Sequence, residues 1–206
     1  MDQTSNWIVI GLAGATNSGK TTLARRLMDQ FPNAVHMKQD NYFLSDDDPR
    51  QIKVENLGHN NWEKLTALDM DRMMEDIYAV LRSQAYLFSF SYYFCFSPCT
   101  SPRLLILDGF LILNEPRIVS LCHAKFYLDV SYDECRRRRL GRSYDPPDVP
   151  GYFEQVVWPE SREAKQTSIA RNPDTVILNG EMEIDNLVSQ IVDVIEKKTN
   201  LKRHSC

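Results

Sequence analysis

Gly14-Ala15-Thr16-Asn17-Ser18-Gly19-Lys20-Thr21-Thr22 is the stretch from which the fold of this chain is read. It fills the pattern Gly-x4-Gly-Lys-[Ser/Thr], and its flanks are the ones that pattern needs. The β-branched run Trp7-Ile8-Val9-Ile10 leads into it, and Leu23, Leu27 and Met28 follow at helical spacing. Strand, glycine loop and helix in that order predict a phosphate-binding loop. Successive backbone N–H groups curl around a phosphate, and the helix N-terminus adds its positive dipole end. Lys20 is placed to reach terminal phosphates, and the Thr21 hydroxyl to ligate Mg²⁺. A glycine turn that happens to precede a helix would not need the lysine and hydroxyl in register as well.

The chain has 206 residues, room for one well-cored unit of residues 1–206 with a small lid. At 43% hydrophobic and 25% charged residues its composition is that of an ordinary globular protein. A net charge of -4 argues against nucleic acid as a partner. Five cysteines, an odd number without CxxC spacing, read as free thiols in a reducing compartment. The first residues lack a basic region followed by an apolar stretch, so no secretory signal is expected and the cytoplasm is the expected location. Residues 86–96 (YLFSFSYYFCF) are almost wholly aromatic, apolar or serine, but about half the length of a membrane span, and no function attaches to them.

Five β-like runs are expected, at 7–13, 34–38, 103–108, 124–130 and 175–178. Helical patterns follow the glycine loop, cover 68–81, start near 132, span 154–171, and repeat at Ile184, Leu187, Val188, Ile191, Val194 and Ile195. Alternating strands and helices predict an α/β fold, a five-stranded parallel sheet covered by helices on both faces. Ligands of such sheets bind beyond the carboxyl ends of the strands.

Two strands end in an acid. Leu104-Leu105-Ile106-Leu107 delivers Asp108, a candidate Mg²⁺ carboxylate, though a turn or helix cap would use the same residue. The run before it delivers Gln39-Asp40-Asn41-Tyr42-Phe43, in which Asp40 is the candidate base for a substrate hydroxyl; the competing reading is an Asx turn with Asn41. The segment Tyr132-Asp133-Glu134-Cys135-Arg136-Arg137-Arg138-Arg139 continues to Arg142 and reads as a helix with acids first and bases last. Arg138 and Arg142 share a face with Arg139 beside it, a candidate arginine lid over about 132–152, some of whose arginines form a solvated face instead. Prolines in Ser143-Tyr144-Asp145-Pro146-Pro147-Asp148 hold Tyr144 and the acids in an extended loop. Trp62, beside Glu63, reads on its own as core.

The ordered set GATNSGKTTLA, QDNYF, NWE, LLILDGFL, YDECRRRRLGRSYDPPDVPGYF and VWP resembles nicotinamide riboside kinases, in the uridine-kinase-like branch of P-loop kinases, over nearly the whole chain. The resemblance implies a nucleoside/nucleotide kinase fold, with ATP and Mg²⁺ converting nicotinamide riboside, and nicotinic acid riboside, to the mononucleotide. It implies a small-molecule partner, with no nucleic acid, membrane or obligate protein partner. By position, Gly14 to Thr22 would hold ATP, with Arg138 and Arg142 at its phosphates and Tyr144 nearby. Thr21, Asp40 and Asp108 would serve the metal, and Lys20 and Asp40 the chemistry. Arg139 and Glu63 would hold the ribose diol. Trp62 and Tyr144 would stack on the pyridinium, whose charge is attracted to aromatic faces. Asn41, Tyr42, Phe43 and Asp145 would complete the acceptor pocket.

Three positions depart from the family pattern: Glu63 stands where Asp is found in human-type members, Trp62 where some have Tyr, and Asp108 where Glu is usual. The 86–96 segment falls where the family has a polar loop. A uridine or cytidine kinase would use the same loop, base and lid. A nucleotide-dependent switch is a different class, but no Asn-Lys-x-Asp guanine-reading motif is present.

Overall fold

The computed structural model describes residues 7–83, 102–199 and 201. The aromatic 86–96 run, with Cys95, Cys99 and Cys206, lies outside the described residues. Within them the chain runs β1 (Trp7–Gly14), α1 (Lys20–Gln30), β2 (Val35–Lys38), the short strands β3 (Lys53–Val54) and β4 (His59–Asn60), and α2 (Met70–Arg82). It continues with β5 (Arg103–Asp108), α3 (Pro116–Leu121), β6 (Ala124–Asp129), α4 (Tyr132–Leu140), α5 (Trp158–Arg171), β7 (Val176–Asn179) and α6 (Ile184–Lys198).

The main sheet has the order β2-β5-β1-β6-β7, all parallel, with β3 and β4 forming a separate antiparallel pair. β1 is central, and all eight of its residues are buried, as expected of a strand covered on both faces. Alternate side chains divide between two cores. Ile8, Ile10 and Leu12 pack with Leu104, Ile106 and Phe126 against Leu23 and Leu27 of α1 and Leu187, Ile191 and Ile195 of α6. Val9 and Ala13 face the other way, with Leu105 and Leu107, against Met73, Met74 and Ile77 of α2 and Ile118 of α3. Asp69 caps α2, its side chain accepting a 3.1 Å bond from the Arg72 N–H.

All five sheet strands expected from sequence are present, with ends shifted by one residue at most of them. The helix read over 154–171 begins instead as a π-helical turn, Phe153–Val157, before α5. Pro159 accounts for the widening: it has no N–H to donate, and its ring crowds the carbonyl four residues back. Helix α3 and the β3–β4 pair were not foreseen, being too short to leave a periodic pattern. A third core, with Ala15, Val130, Cys135, Tyr152, Phe153 and Val157, seats the base of α4 against the glycine loop. Among the described residues no helix is long and apolar enough to cross a membrane.

Candidate active site

The glycine loop leaves β1 with Gly14 at φ +151° and passes through Asn17 at +59° and Gly19 at +100°, all in the left-handed half of backbone space. Gly14 has a second constraint: a Cβ there would stand 2.5 Å from the Leu128 carbonyl oxygen. The loop closes on itself through Lys20, whose buried ammonium donates to the Ala15 carbonyl at 2.8 Å. Burial pushes the Lys20 pKa down, against the pull of Asp108, Asp40 and Glu63. Ser18 Oγ and Asn17 Nδ2 are buried with no hydrogen-bond partner among the described residues. Polar atoms orphaned beside curled backbone N–H groups fit a phosphate chain as their missing partner.

Thr21, in the first turn of α1, donates its hydroxyl proton to Asp108 Oδ2 at 2.7 Å. That leaves the threonine lone pairs for a cation. Burial alone would raise the Asp108 pKa, but the bonds from His36 and Thr21 and the charge of Lys20 outweigh it and hold the carboxyl below its ordinary value. Among the described residues no three His, Cys, Asp or Glu side chains group as a metal cage. The donors that are present, one hydroxyl and nearby carboxylates, suit Mg²⁺, which takes one or two carboxylates and fills its shell with phosphate and water.

After β2 the chain makes a 3₁₀ turn, Gln39–Tyr42. With three residues per turn, positions i and i+3 share a face. Gln39 and Tyr42 therefore point inward: Gln39 accepts from the Leu111 N–H at 2.9 Å, and the Tyr42 hydroxyl donates to Asp76 at 2.8 Å. Asp40 and Phe43 point to the cleft. The Asp40 carboxyl opens on cleft water but has protein on its other sides, and that enclosure raises its pKa, with Asp108 adding to the effect and Lys20, Lys38 and Arg142 opposing it. A raised carboxylate is the more effective proton acceptor.

Two cavities meet at the glycine loop. One, of about 250 Å³, is lined by Thr16, Asp40, Phe43, Trp62, Glu63, Phe110, Arg139, Arg142, Tyr144, Asp145 and Asp148, with His59 and Tyr152. The other, of about 450 Å³, is lined by Asn17, Ser18, Gly19, Thr22, Arg138, Arg142, Gly180, Met182, Ile184 and Leu187. Arg142 borders both. In the first, Phe43 stacks on Phe110 at 5.9 Å between ring centres and meets Trp62 edge-on at 5.7 Å, making one aromatic wall. Glu63 is buried there, and desolvation lifts its pKa to about 7 despite Arg139 and Lys20. Arg139 grips Asp148 with two bonds, of 2.6 and 2.8 Å, and lies 4.3 Å over the Tyr144 ring. The Tyr144 hydroxyl reaches Asn17 Oδ1 at 3.0 Å.

In the second cavity, Arg138 bonds the carbonyls of Asn17 and Ser18 at 3.3 and 3.0 Å and that of Gly180 at 3.1 Å, while Glu134 holds its Nε. Of the residues singled out from sequence, the structure brings together the glycine loop, Asp40, Phe43, Trp62, Glu63, Asp108, Arg138, Arg139, Arg142, Tyr144 and Asp145. It does not bring Tyr42, which faces the core, or Asn41, which is exposed outside both cavities. Sequence reasoning missed His36, His59, Phe110, Asp148 and Tyr152. Phe110 had a usable signal, standing two residues after the acid that ends β5; the others needed the tertiary fold.

The chain matches the family described as an AAA domain over residues 10–167. It is 32% identical over 190 residues to a protein of Rattus norvegicus named nicotinamide riboside kinase 1, covering 92% of this chain and 94% of that one. A uridine kinase of Vibrio campbellii is 28% identical over 154 residues, 70% of this chain and 72% of that one. Among solved structures, a thymidylate kinase from Candida albicans superposes with a TM-score of 0.58 at 14% identity, covering 98% of this chain and 96% of that one, a likeness of fold alone. With its phosphate loop, parallel sheet and near full-length match, this chain carries the AAA domain and belongs to the nicotinamide riboside kinase family.

Proposed function

We propose that residues 1–206 act as one kinase unit that transfers the γ-phosphoryl group of ATP to the 5′-hydroxyl of nicotinamide riboside, with nicotinic acid riboside as a second acceptor. The product mononucleotide feeds NAD biosynthesis. The observation that carries this reading is the pair of cavities meeting at the glycine loop, with Arg142 on the border of both. One suits a nucleotide with its phosphates on the loop, the other a small acceptor beside Asp40.

In this reading Lys20 and the loop N–H groups, Gly14 to Thr22, orient the phosphates, and Arg138 and Arg142, in a lid over 132–152, offset charge on the transferring oxygens. Thr21, Asp108 and Asp40 would hold Mg²⁺, which would supply neutralisation of the charge on the terminal phosphates. Asp40 accepts the proton from the acceptor hydroxyl. Glu63 and Arg139 hold the ribose diol. Phe43, Trp62 and Tyr144 enclose the base, and their ring faces favour a cationic pyridinium over a neutral base. Asp145 borders the same pocket. Tyr42 is left out of the substrate-contacting set because its hydroxyl is spent on Asp76.

The test is kcat/KM on nicotinamide riboside, nicotinic acid riboside, uridine and cytidine with ATP and Mg²⁺. Preference for either pyridine riboside supports the assignment, and preference for uridine or cytidine overturns it while leaving the kinase chemistry standing. Asp40→Asn, which keeps size but loses the base, should collapse kcat with the fold intact; a change in KM alone would remove Asp40 from the chemistry.

A further inference from the structure

His36 lies within β2, an edge strand of the sheet, and beyond its bond to Asp108 it has been given no role so far. Its strand neighbours Val35 and Met37 pack against the core on the α2 side, so the alternation of β2 turns His36 to the side of α1. Parallel pairing sets His36 opposite Ile106 and Lys38 opposite Asp108. His36 and Asp108 are thus diagonal neighbours on one face. The imidazole side chain is 8% exposed, and its Nε2 is 3.1 Å from Asp108 Oδ2, the oxygen that also accepts from Thr21 Oγ1. A carboxylate oxygen only accepts, so Nε2 carries the proton and donates it.

An edge-strand position whose side chain is enclosed on the α1 side of the sheet would ordinarily take Val or Ile; an imidazole there needs a partner, and Asp108 is the partner it has. Two donors from two elements, the hydroxyl at the start of α1 and the imidazole of β2, fix the plane of the Asp108 carboxyl. Oδ2 is engaged by both. We propose that His36 is a positioning residue for Mg²⁺·nucleotide binding, holding the short Asp108 side chain in the orientation in which it and Thr21 receive the cation. The inference rests on the kinase reading above. Outer-shell partners of metal-binding carboxylates act in this way, and their loss typically costs about 10- to 100-fold in metal affinity.

The test uses calorimetric binding of AMPPNP, with Mg²⁺ and again in EDTA, to wild type, His36→Leu, His36→Gln and Asp108→Asn. His36→Leu keeps the bulk and removes the donor; it should weaken Mg²⁺·AMPPNP by about 10-fold or more and leave metal-free AMPPNP unchanged. His36→Gln, which can present an N–H at a similar reach, should recover most of the loss. In the Asp108→Asn background, His36→Leu should cost little further, since the group it positions is already altered. Equal losses with and without Mg²⁺, a Gln variant as weak as Leu, or additive losses in the double variant would each overturn the proposal. If His36→Leu does not fold, His36→Ala, which also lacks the donor, replaces it in every comparison. Wild-type protein that binds no nucleotide at all would overturn the kinase reading, and this inference with it.

Discussion

Glu63→Gln should make the protein more stable and a worse enzyme, by amounts that the burial of one carboxyl sets. Glu63 is buried, and its pKa stands at about 7 against an ordinary 4.5. The folded state therefore holds a proton that the unfolded chain has already released between those two values, and stability falls as pH rises across that window. At about 1.4 kcal/mol per pKa unit, the ionised side chain costs the fold about 3 kcal/mol at pH 8 and under about 1 kcal/mol at pH 5. Glutamine carries no such cost. Arg139 would not be stranded by the change, because Asp148 already pairs it. Urea denaturation of both proteins should show the variant ahead by about 1–3 kcal/mol at pH 8, with the gap shrinking toward pH 5. The same change removes a charged acceptor for the ribose hydroxyls, worth about 1.5–3 kcal/mol, so KM for the riboside should rise by about 10- to 100-fold at pH 8. Wild-type KM should fall from pH 6 to pH 8 as Glu63 ionises. A gap that is the same at both pH values, or a variant less stable at pH 8, would refute the argument.

Lys20→Ala should fold, since it deletes a buried ammonium, yet lower turnover by about 10²-fold or more in a coupled ADP-release assay; near-normal turnover would remove the phosphate-loop assignment. Trp62→Ala and Tyr144→Ala should each raise KM for nicotinamide riboside by about 2- to 30-fold, and by less for uridine. Equal losses on both substrates would mean that the rings act as plain apolar walls. Gly14→Ala places a methyl group 2.5 Å from the Leu128 carbonyl oxygen, so the urea midpoint should drop by the equivalent of about 1–3 kcal/mol; a drop under about 0.5 kcal/mol would show that the loop can shift to admit it.

The centre of the sheet was legible because β1, β5 and β6 are mostly apolar runs, and central burial demands that composition; the edge strands β2 and β7 are shorter and less buried. The glycine loop was legible because its spacing is tied to its chemistry. Tyr42 was misplaced for a definite reason: QDNYF gives composition without phase, and only the 3₁₀ turn shows that Gln39 and Tyr42 share one face and Asp40 and Phe43 the other. His36 left no trace in sequence, since one histidine inside a four-residue strand becomes meaningful only when pairing sets it diagonal to Asp108. Asp148 sits nine residues from Arg139 in a proline-rich loop whose path the sequence does not specify. The π-helical turn before α5 could have been anticipated from Pro159, because a proline just inside a helix removes a donor that the preceding turn must do without.

Arg138 and Arg139 are adjacent on α4, and adjacent helical residues point about 100° apart. One reaches Asn17, Ser18 and Gly180, and the other reaches Asp148 and Tyr144. One helix therefore carries an arginine into each chamber. In the kinase reading, any shift of α4 on binding one ligand would move a wall of both chambers. Such a linkage makes the tightness of one ligand depend on the presence of its companion, and by reciprocity the dependence has the same size in both directions.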